Sequence, residues 1–407
     1  MNKSLNSLSD ADKLPPAGVP TPRRSSLKVI QWGAVSIASL LILALVVVLA
    51  TPRLALLLLL GVALGVALQH GAFGFTSAYR RFLLQRETPA LQAQLLMLAS
   101  ATLLFAPFLS EGQFFGRSLT GAWAPAGLQV AAGAFLFGIG MQLGDGCGSG
   151  TLYKAGSGAP RMVITLIAFC GGSFWASLHM GQWQALPSLQ TQSLAEPLGY
   201  PLAVALQLGF IGLLALLLRR WGVRPAASPT LRQTFWRRLL TGPWTLPAAA
   251  LALALLNLAT LLTAGHPWTI TWGFTLWGAK AALLFGWDPT TAPFWNGAFQ
   301  QSALQMNLLH DVTSVMDIGI LLGALTAAGL GGRFMPSFHI PLRSLAAAVL
   351  GGIMMGYGAR IAYGCNIGAF FSGVASLSLH GWLWIVCALL GSALGVRWRP
   401  RFGLSNK

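Results

Sequence analysis

The sequence predicts an all-α polytopic membrane protein, arranged as an inverted-topology repeat with about ten transmembrane helices in total. Three observations predict it. Only 9% of the 407 residues are charged and 55% are hydrophobic, whereas a soluble domain carries roughly 25% charged residues. Apolar runs close to the ~20 residues that cross a bilayer as helix recur along the whole chain. Two cysteines, each set among glycines, stand at corresponding places in two similar halves.

The elements follow in order. Residues 1–28, rich in Ser and Pro and basic through Lys3, Lys13, Arg23, Arg24 and Lys28, are expected to be a disordered cytoplasmic tail. The run 29–50, VIQWGAVSIASLLILALVVVLA, is long for the apolar part of a signal peptide and is read as a retained, additional transmembrane helix. Repeat 1 occupies 51–200, with crossings at 54–69, 90–109, 126–142 and 161–180. A linking helix at 201–218 and a basic loop fill 201–243. Repeat 2 occupies 244–396, with crossings at 244–263, 317–332, 344–360 and 381–396. The pattern does not thread 264–316, which is long, Trp-rich and mixed, and 397–407 is left as a tail. The 48 glycines and 15 tryptophans suit close helix packing and interfacial anchoring.

Charge sets the orientation. The net charge of +17 gathers in short segments between apolar runs. Arg80, Arg81 and Arg86, the arginines of 219–238, and Arg397, Arg399, Arg401 and Lys407 all fall on one side if the crossings alternate. The positive-inside rule makes that side, and both termini, cytoplasmic. The segments 111–125 and 181–200, poor in Lys and Arg, fall outside. Nucleic-acid binding is excluded as a reading, because no basic, aromatic-interleaved soluble domain is there to carry it.

The halves resemble each other in FGIGMQLGDGCGSG (137–150) and MGYGARIAYGCNIG (355–368). Gly138, Gly140, Gly146, Cys147 and Gly150 match Gly356, Gly358, Gly364, Cys365 and Gly368 at one offset, and Cys170 and Cys387 follow as a second pair. GFTSAYR (74–80) resembles GFTLWGAK (273–280) at a shorter offset, which implies an insertion in 287–310. Four crossings per half and one linking crossing turn the second half upside down, a common transporter architecture with its site near the midplane. The Gly-Cys stretches then enter from opposite sides as broken helices, and irregular backbone at that depth must be buried in protein or line an aqueous path.

A thiol is a weak donor and a soft, polarizable atom. It suits an anion with terminal sulfur that must be held and then released. Cys147 and Cys365 are therefore the candidate substrate-path residues, with Gly146, Gly148, Ser149, Gly364 and Asn366 offering backbone and side-chain groups at the helix starts. The alternative for each cysteine is a small buried residue in a tight turn, and packing is the expected role of Cys170 and Cys387. Ionisable groups at membrane depth are functional candidates by default. Asp145 is expected to cap the broken helix. Asp317 is expected to pair with Lys280, His310 or an arginine. Lys280, Lys154 and Arg360 either attract anions or snorkel to the interface, and His310 beside Asp311 is a proton relay or a hydrogen-bonded loop histidine. Four cysteines without CxxC or Cys/His spacing give neither a disulfide scaffold nor a zinc site. No nucleotide-binding motif appears, and no cofactor or metal is expected.

The Gly-Cys stretches, MDIGILLGALTAAGLGGRF (316–334) and GFTSAYRRFL (74–83) resemble the YeeE/YedE family of sulfur-compound transporters over most of 54–396. That resemblance implies an hourglass fold, import of thiosulfate across the bacterial inner membrane, and cysteines on the central path passing the anion along by weak contacts. Cys147 and Cys365 map onto two of those cysteines. The family often has another near QHGAFGFTSA (69–78); here Ala72 or a neighbour takes that place, and His70 stands just before it. Thiosulfate or a related sulfur anion is the expected substrate, with the lipid bilayer as surroundings. Two other readings are a membrane sulfurtransferase that forms a cysteine persulfide and a scaffold that passes sulfur to a small cytoplasmic carrier protein. A nucleophilic cysteine needs an activating base or an electropositive setting, and no histidine adjoins Cys147 or Cys365 in sequence.

Overall fold

The structure, a computed structural model, describes residues 24–49, 51–191, 193–223 and 234–406. Residues 1–23 of the expected disordered tail and part of the basic loop (224–233) lie outside the described residues, while 24–28, expected to be disordered, form the start of the first helix. The protein is an all-α polytopic membrane protein, in which ten described helices are long and apolar enough to span a bilayer.

The chain begins with α1 (Arg24–Val48), α2 (Pro52–Gly71), the short α3 (Phe75–Gln85) and α4 (Pro89–Glu111). A small antiparallel ribbon, β1 (Gln113–Phe114) with β2 (Arg117–Ser118), follows, then β3 (Pro125–Gly127), α5 (Leu128–Gly144), α6 (Gly148–Gly156) and α7 (Pro160–Leu178). After α8 (Met180–Gln184), β4 (Ser188–Thr191) pairs back on β3, and α9 (Ala195–Leu198) leads into the linking helix α10 (Tyr200–Trp221). The second half has α11 (Phe235–Thr241), α12 (Leu246–Ala264), α13 (Thr271–Leu284), α14 (Ala298–Gln305), α15 (Val312–Leu330) and α16 (Leu342–Ile361). It closes with a π-helical stretch Asn366–Ser372, α17 (Gly373–Ala375) and α18 (Leu379–Trp398).

Local chemistry explains the starts. Helices α2, α4, α7, α10 and α12 each carry proline in their first two positions, where the missing N–H costs nothing and the fixed φ suits a helix. Thr51 and Thr245 add side-chain caps to α2 and α12. The segment that the pattern does not thread, 264–316, holds no span before α15 begins at Val312. It folds as α13, α14 and three single 3-10 turns packed around fully buried Trp295, whose indole N–H donates to Ser177 Oγ at 2.8 Å.

Glycines set the packing. Gly61 and Gly65 of α2 face Gly319 and Gly323 of α15. A methyl on Gly65 would lie 2.3 Å from the Ile320 carbonyl oxygen, and one on Gly323 2.0 Å from that of Val62. Only glycine lets these two backbones touch, and backbone contact is how helices associate where lipid offers no hydrophobic drive. The glycines matched between the halves make matched approaches. A methyl on Gly138 would lie 2.2 Å from the Ala388 carbonyl oxygen of α18, and one on Gly356 2.2 Å from that of Phe169 on α7. Helix α5 thus packs on α18 as α16 packs on α7, while α5 and α16 cross each other.

Helix α1 lies against α15 with most of its surface exposed and apolar. Gln31 fastens it: its Nε2 donates to the Phe334 carbonyl at 2.8 Å and its Oε1 accepts from the Phe334 N–H at 3.1 Å.

Candidate functional site: two cysteine-capped helix starts

Helices α5 and α16 both stop short at the Gly-Cys stretches. The residue that ends each run is forced into left-handed backbone: Asp145 at φ 63° and Tyr363 at φ 60°. These two are separated by the same spacing as the cysteines, and non-glycine residues are uncommon in that region. Gly146 and Gly364 then tuck under the following turn. A methyl on Gly364 would lie 2.5 Å from the Ala369 amide nitrogen, and one on Gly146 3.1 Å from that of Thr151.

Each cysteine is the N-cap of the helix that restarts. Cys147 Sγ accepts from the Gly150 N–H at 3.4 Å at the start of α6 and lies 3.4 Å from Ser149 Oγ. Cys365 Sγ accepts from the Ile367 N–H at 3.5 Å at the start of the π-helical stretch. Serine or threonine is the usual choice there, with an oxygen acceptor; sulfur is a weaker one. Both cysteines are free and buried.

The two starts meet. A methyl on Gly148 would lie 2.9 Å from Cys365 Sγ, so the second thiol fills the notch beside the residue that follows the first. Two helix N-termini, each bringing amide donors and the positive end of a helix dipole, converge on a buried pair of thiols. Asn366, fully buried, donates from Nδ2 to Tyr79 Oη of α3 at 3.1 Å, while its Oδ1 has no hydrogen-bond partner. On the other side, Thr269 Oγ1 is 3.1 Å from where a methyl on Gly368 would lie. Thr269 also lines a cavity of about 300 Å³ with His266, Trp272, His310 and Asp311.

A second group of charges lies beside the first loop. Arg80 Nη1 and Arg399 Nη1 both donate to Asp145 Oδ1, at 2.9 and 3.1 Å, and Lys154 Nζ is 3.5 Å from Oδ2. Lys154 also bonds the Asp145 carbonyl, and Arg399 the Gln142 carbonyl. Arg161 donates to the carbonyls of Leu143 at 2.7 Å and Gly144 at 2.9 Å, capping the end of α5 with positive charge as the dipole prefers.

The other residues singled out from sequence are placed as follows. Ala72 is the left-handed C-cap of α2 at φ 43°. His70 bonds the Leu240 carbonyl at 3.0 Å and packs on Trp244. The expected pairing of Asp317 is corrected. It is fully buried on α15 and neither oxygen has a hydrogen-bond partner; Lys280 instead donates to the carbonyls of Leu304 at 2.8 Å and Met306 at 2.6 Å. Space explains this: Asp317 Oδ2 lies where a side chain on Gly273 would begin, 2.7 Å away, inside the α13–α15 contact. Arg360 turns onto the Phe294 ring at 4.9 Å. Tyr79 is not singled out from sequence; Asp145 caps the broken end of α5 as expected, and the cations it gathers in addition are not read from sequence.

A family of known transporters matches this chain over 70–394, a stretch that holds both cysteine loops; its description is sulphur transport. The chain belongs to the sulphur-transport family. Within that family, it is 28% identical to the thiosulfate transporter TsuA of Spirochaeta thermophila over 355 residues, 82% of this chain and 96% of that one. It is 25% identical to the thiosulfate transporter TsuA of Escherichia coli over 346 residues, 82% and 91% of the two chains. To the probable transporter YedE of Escherichia coli it is 33% identical, over 168 residues that make up 40% of each chain. The chain thus spans less than half the length of the YedE proteins it matches.

Proposed function

We propose that this sulphur-transport protein carries thiosulfate or a closely related sulfur anion inward across a bacterial inner membrane, through the centre where Cys147 and Cys365 meet. The observation that carries the reading is the approach of Cys365 Sγ to Gly148. It joins two soft, weakly committed acceptor–donor groups and two sets of helix-start amides in one buried spot. Two TsuA relatives that cover most of this chain are named thiosulfate transporters.

The chemistry suits passage. A dianion needs positive potential, supplied by the two helix starts. It must not be gripped, because conduction needs contacts weak enough to leave. Thiols and amides that already share loose bonds meet both demands. Gly146 and Gly364 hold the turns open, and Ser149 and Asn366 add polar contacts. The cavity at Thr269, His266 and His310 is the entry side in this reading, and His70 and Ala72 stand at the far end of α2. Both termini are cytoplasmic and the halves are an inverted pair, as the basic loops and the matched glycine approaches support. Asp317, a buried carboxyl without a hydrogen-bond partner, with Lys280 of α13 and His310, are the groups we assign to charge or proton coupling.

The test is uptake of sulfur-labelled thiosulfate by cells lacking other importers, comparing the wild type with Cys147→Ala and Cys365→Ala. Both variants should lose most uptake at equal membrane abundance. Normal uptake by both removes the thiol path. The sulfurtransferase reading, with transfer to a cytoplasmic carrier, predicts a stable persulfide on Cys147 or Cys365 after thiosulfate exposure; the transport reading predicts uptake without one.

A further inference from the structure

The Asp145 cluster is out of balance. Arg80, Lys154 and Arg399 all lie within ion-pair distance of a single carboxylate, and the four ion pairs among the described residues give these cations no other acidic partner. Arg161 adds a fourth positive group at the adjoining carbonyls of Leu143 and Gly144. Cations gathered around too little negative charge repel one another, and such an excess is retained where it meets an anion. Donor capacity is also left over, since Arg80 Nε is buried with no hydrogen-bond partner.

The cluster is reachable and adjoins the thiols. The Asp145 side chain keeps 32% of its surface exposed, while those of Arg80 and Arg399 keep 11% and 5%. The two arginines are therefore anchored, while the carboxylate and Lys154, itself 31% exposed, face an opening. Asp145 is two residues before Cys147, and Arg80 follows Tyr79, whose hydroxyl meets Asn366 at the thiol centre. Asp145 sits between Gly144 and Gly146 in left-handed backbone, a short arm rather than part of a helix.

We propose that this cluster is a second anion station, separate from the thiols, in which Arg80, Lys154 and Arg399 bind a divalent sulfur oxyanion and the Asp145 carboxylate is the stand-in that the cargo displaces. The proposal rests on the transport reading for its place on the path, just past the thiols on the side of the C-terminal tail. A tetrahedral dianion presents more oxygens than a carboxylate and suits converging guanidinium groups. Its arrival releases Asp145, and the return of Asp145 expels it, so release needs no covalent step.

The experiment uses the full-length protein in lipid nanodiscs with both thiols replaced (Cys147→Ser with Cys365→Ser), titrated calorimetrically with sodium thiosulfate and with sodium sulfate at low salt. Asp145→Asn in that background keeps the shape of the arm and should tighten binding of both anions about tenfold, since one opposing charge at contact distance is removed. Adding Arg399→Gln should abolish the gain. A monodisperse Asp145→Asn protein whose affinity is unchanged or weaker overturns the proposal. Should Asp145→Asn fail to fold, Lys154→Met in the same double-serine background decides: weaker anion binding upholds the station, and unchanged binding sinks it. Because both path thiols are absent, the outcome is independent of whether the cysteine variants still take up thiosulfate.

Discussion

Cys365 Sγ rests where the side chain of Gly148 would be, 2.9 Å from the position of its missing methyl. The backbone of Gly148 is not in the left-handed region, so alanine is tolerable there except for the thiol. Gly148→Ala should therefore fold, with a packing strain of about 1–3 kcal/mol, and push the two helix starts apart. The expected result is at least a tenfold drop in the initial rate of thiosulfate uptake at unchanged membrane abundance. Uptake at the wild-type rate would show that the contact does not matter to passage.

Capping and transport can be separated at the same atoms. Serine is a better N-cap than cysteine, so Cys147→Ser and Cys365→Ser should match or exceed wild-type thermal stability. Alanine at either place removes the cap and costs about 1 kcal/mol. Uptake should fall in all four variants. A ranking of uptake that simply follows stability would reduce both thiols to caps.

Tyr79→Phe removes the hydroxyl that Asn366 Nδ2 reaches at 3.1 Å, and leaves a fully buried amide whose Oδ1 already lacks a partner. An orphaned buried donor costs about 1–3 kcal/mol. The melting temperature should drop measurably, and Asn366→Leu added to Tyr79→Phe should recover part of it, because the unsatisfied group is gone.

His266 lies beyond the end of α12, where burial, reinforced by Arg53 and opposed by its bond to the Pro267 carbonyl and by Asp311, holds its pKa below 6.5. A depressed histidine is neutral when folded, so its contribution is present above pH 6.5 and is lost as the pH falls through that value, where the unfolded chain takes up the proton first. His266→Gln should flatten the decline of thermal stability as the pH falls below about 6.5. A decline as steep as in the wild type would remove His266 as its source.

The ten spans were legible in sequence because lipid imposes one rule, about twenty apolar residues per crossing, and each expected run overlaps an observed helix. The cysteine loops were legible because the halves carry the same glycines. Residues 264–316 were not, because α13 and α14 are short and mixed, and the tryptophans there pack on one another and on α7 rather than along one helix face. The Asp145 cluster was invisible for a different reason. Arg80, Lys154 and Arg399 look like interfacial charges of three separate loops, and only the placing of the middle of α3, the end of α6 and the turn after α18 brings them to one carboxylate. Asp317 reads as half of an ion pair because a charge in an apolar run demands a partner; in the fold the space beside it belongs to a glycine.

The reciprocal bond between Gln31 and Phe334 joins residues 303 apart in the chain. During synthesis, α1 enters the membrane long before its docking surface on α15 exists. Apart from its slight contact with α2, it must wait there while the chain as far as α15 is made. Its outward face suits the wait, with Trp32, Ile37, Leu40, Leu43 and Val47 turned to the surroundings. The last turn of α15 and the irregular stretch that follows it then receive a helix already in place, so a segment made early is among the last to be fastened.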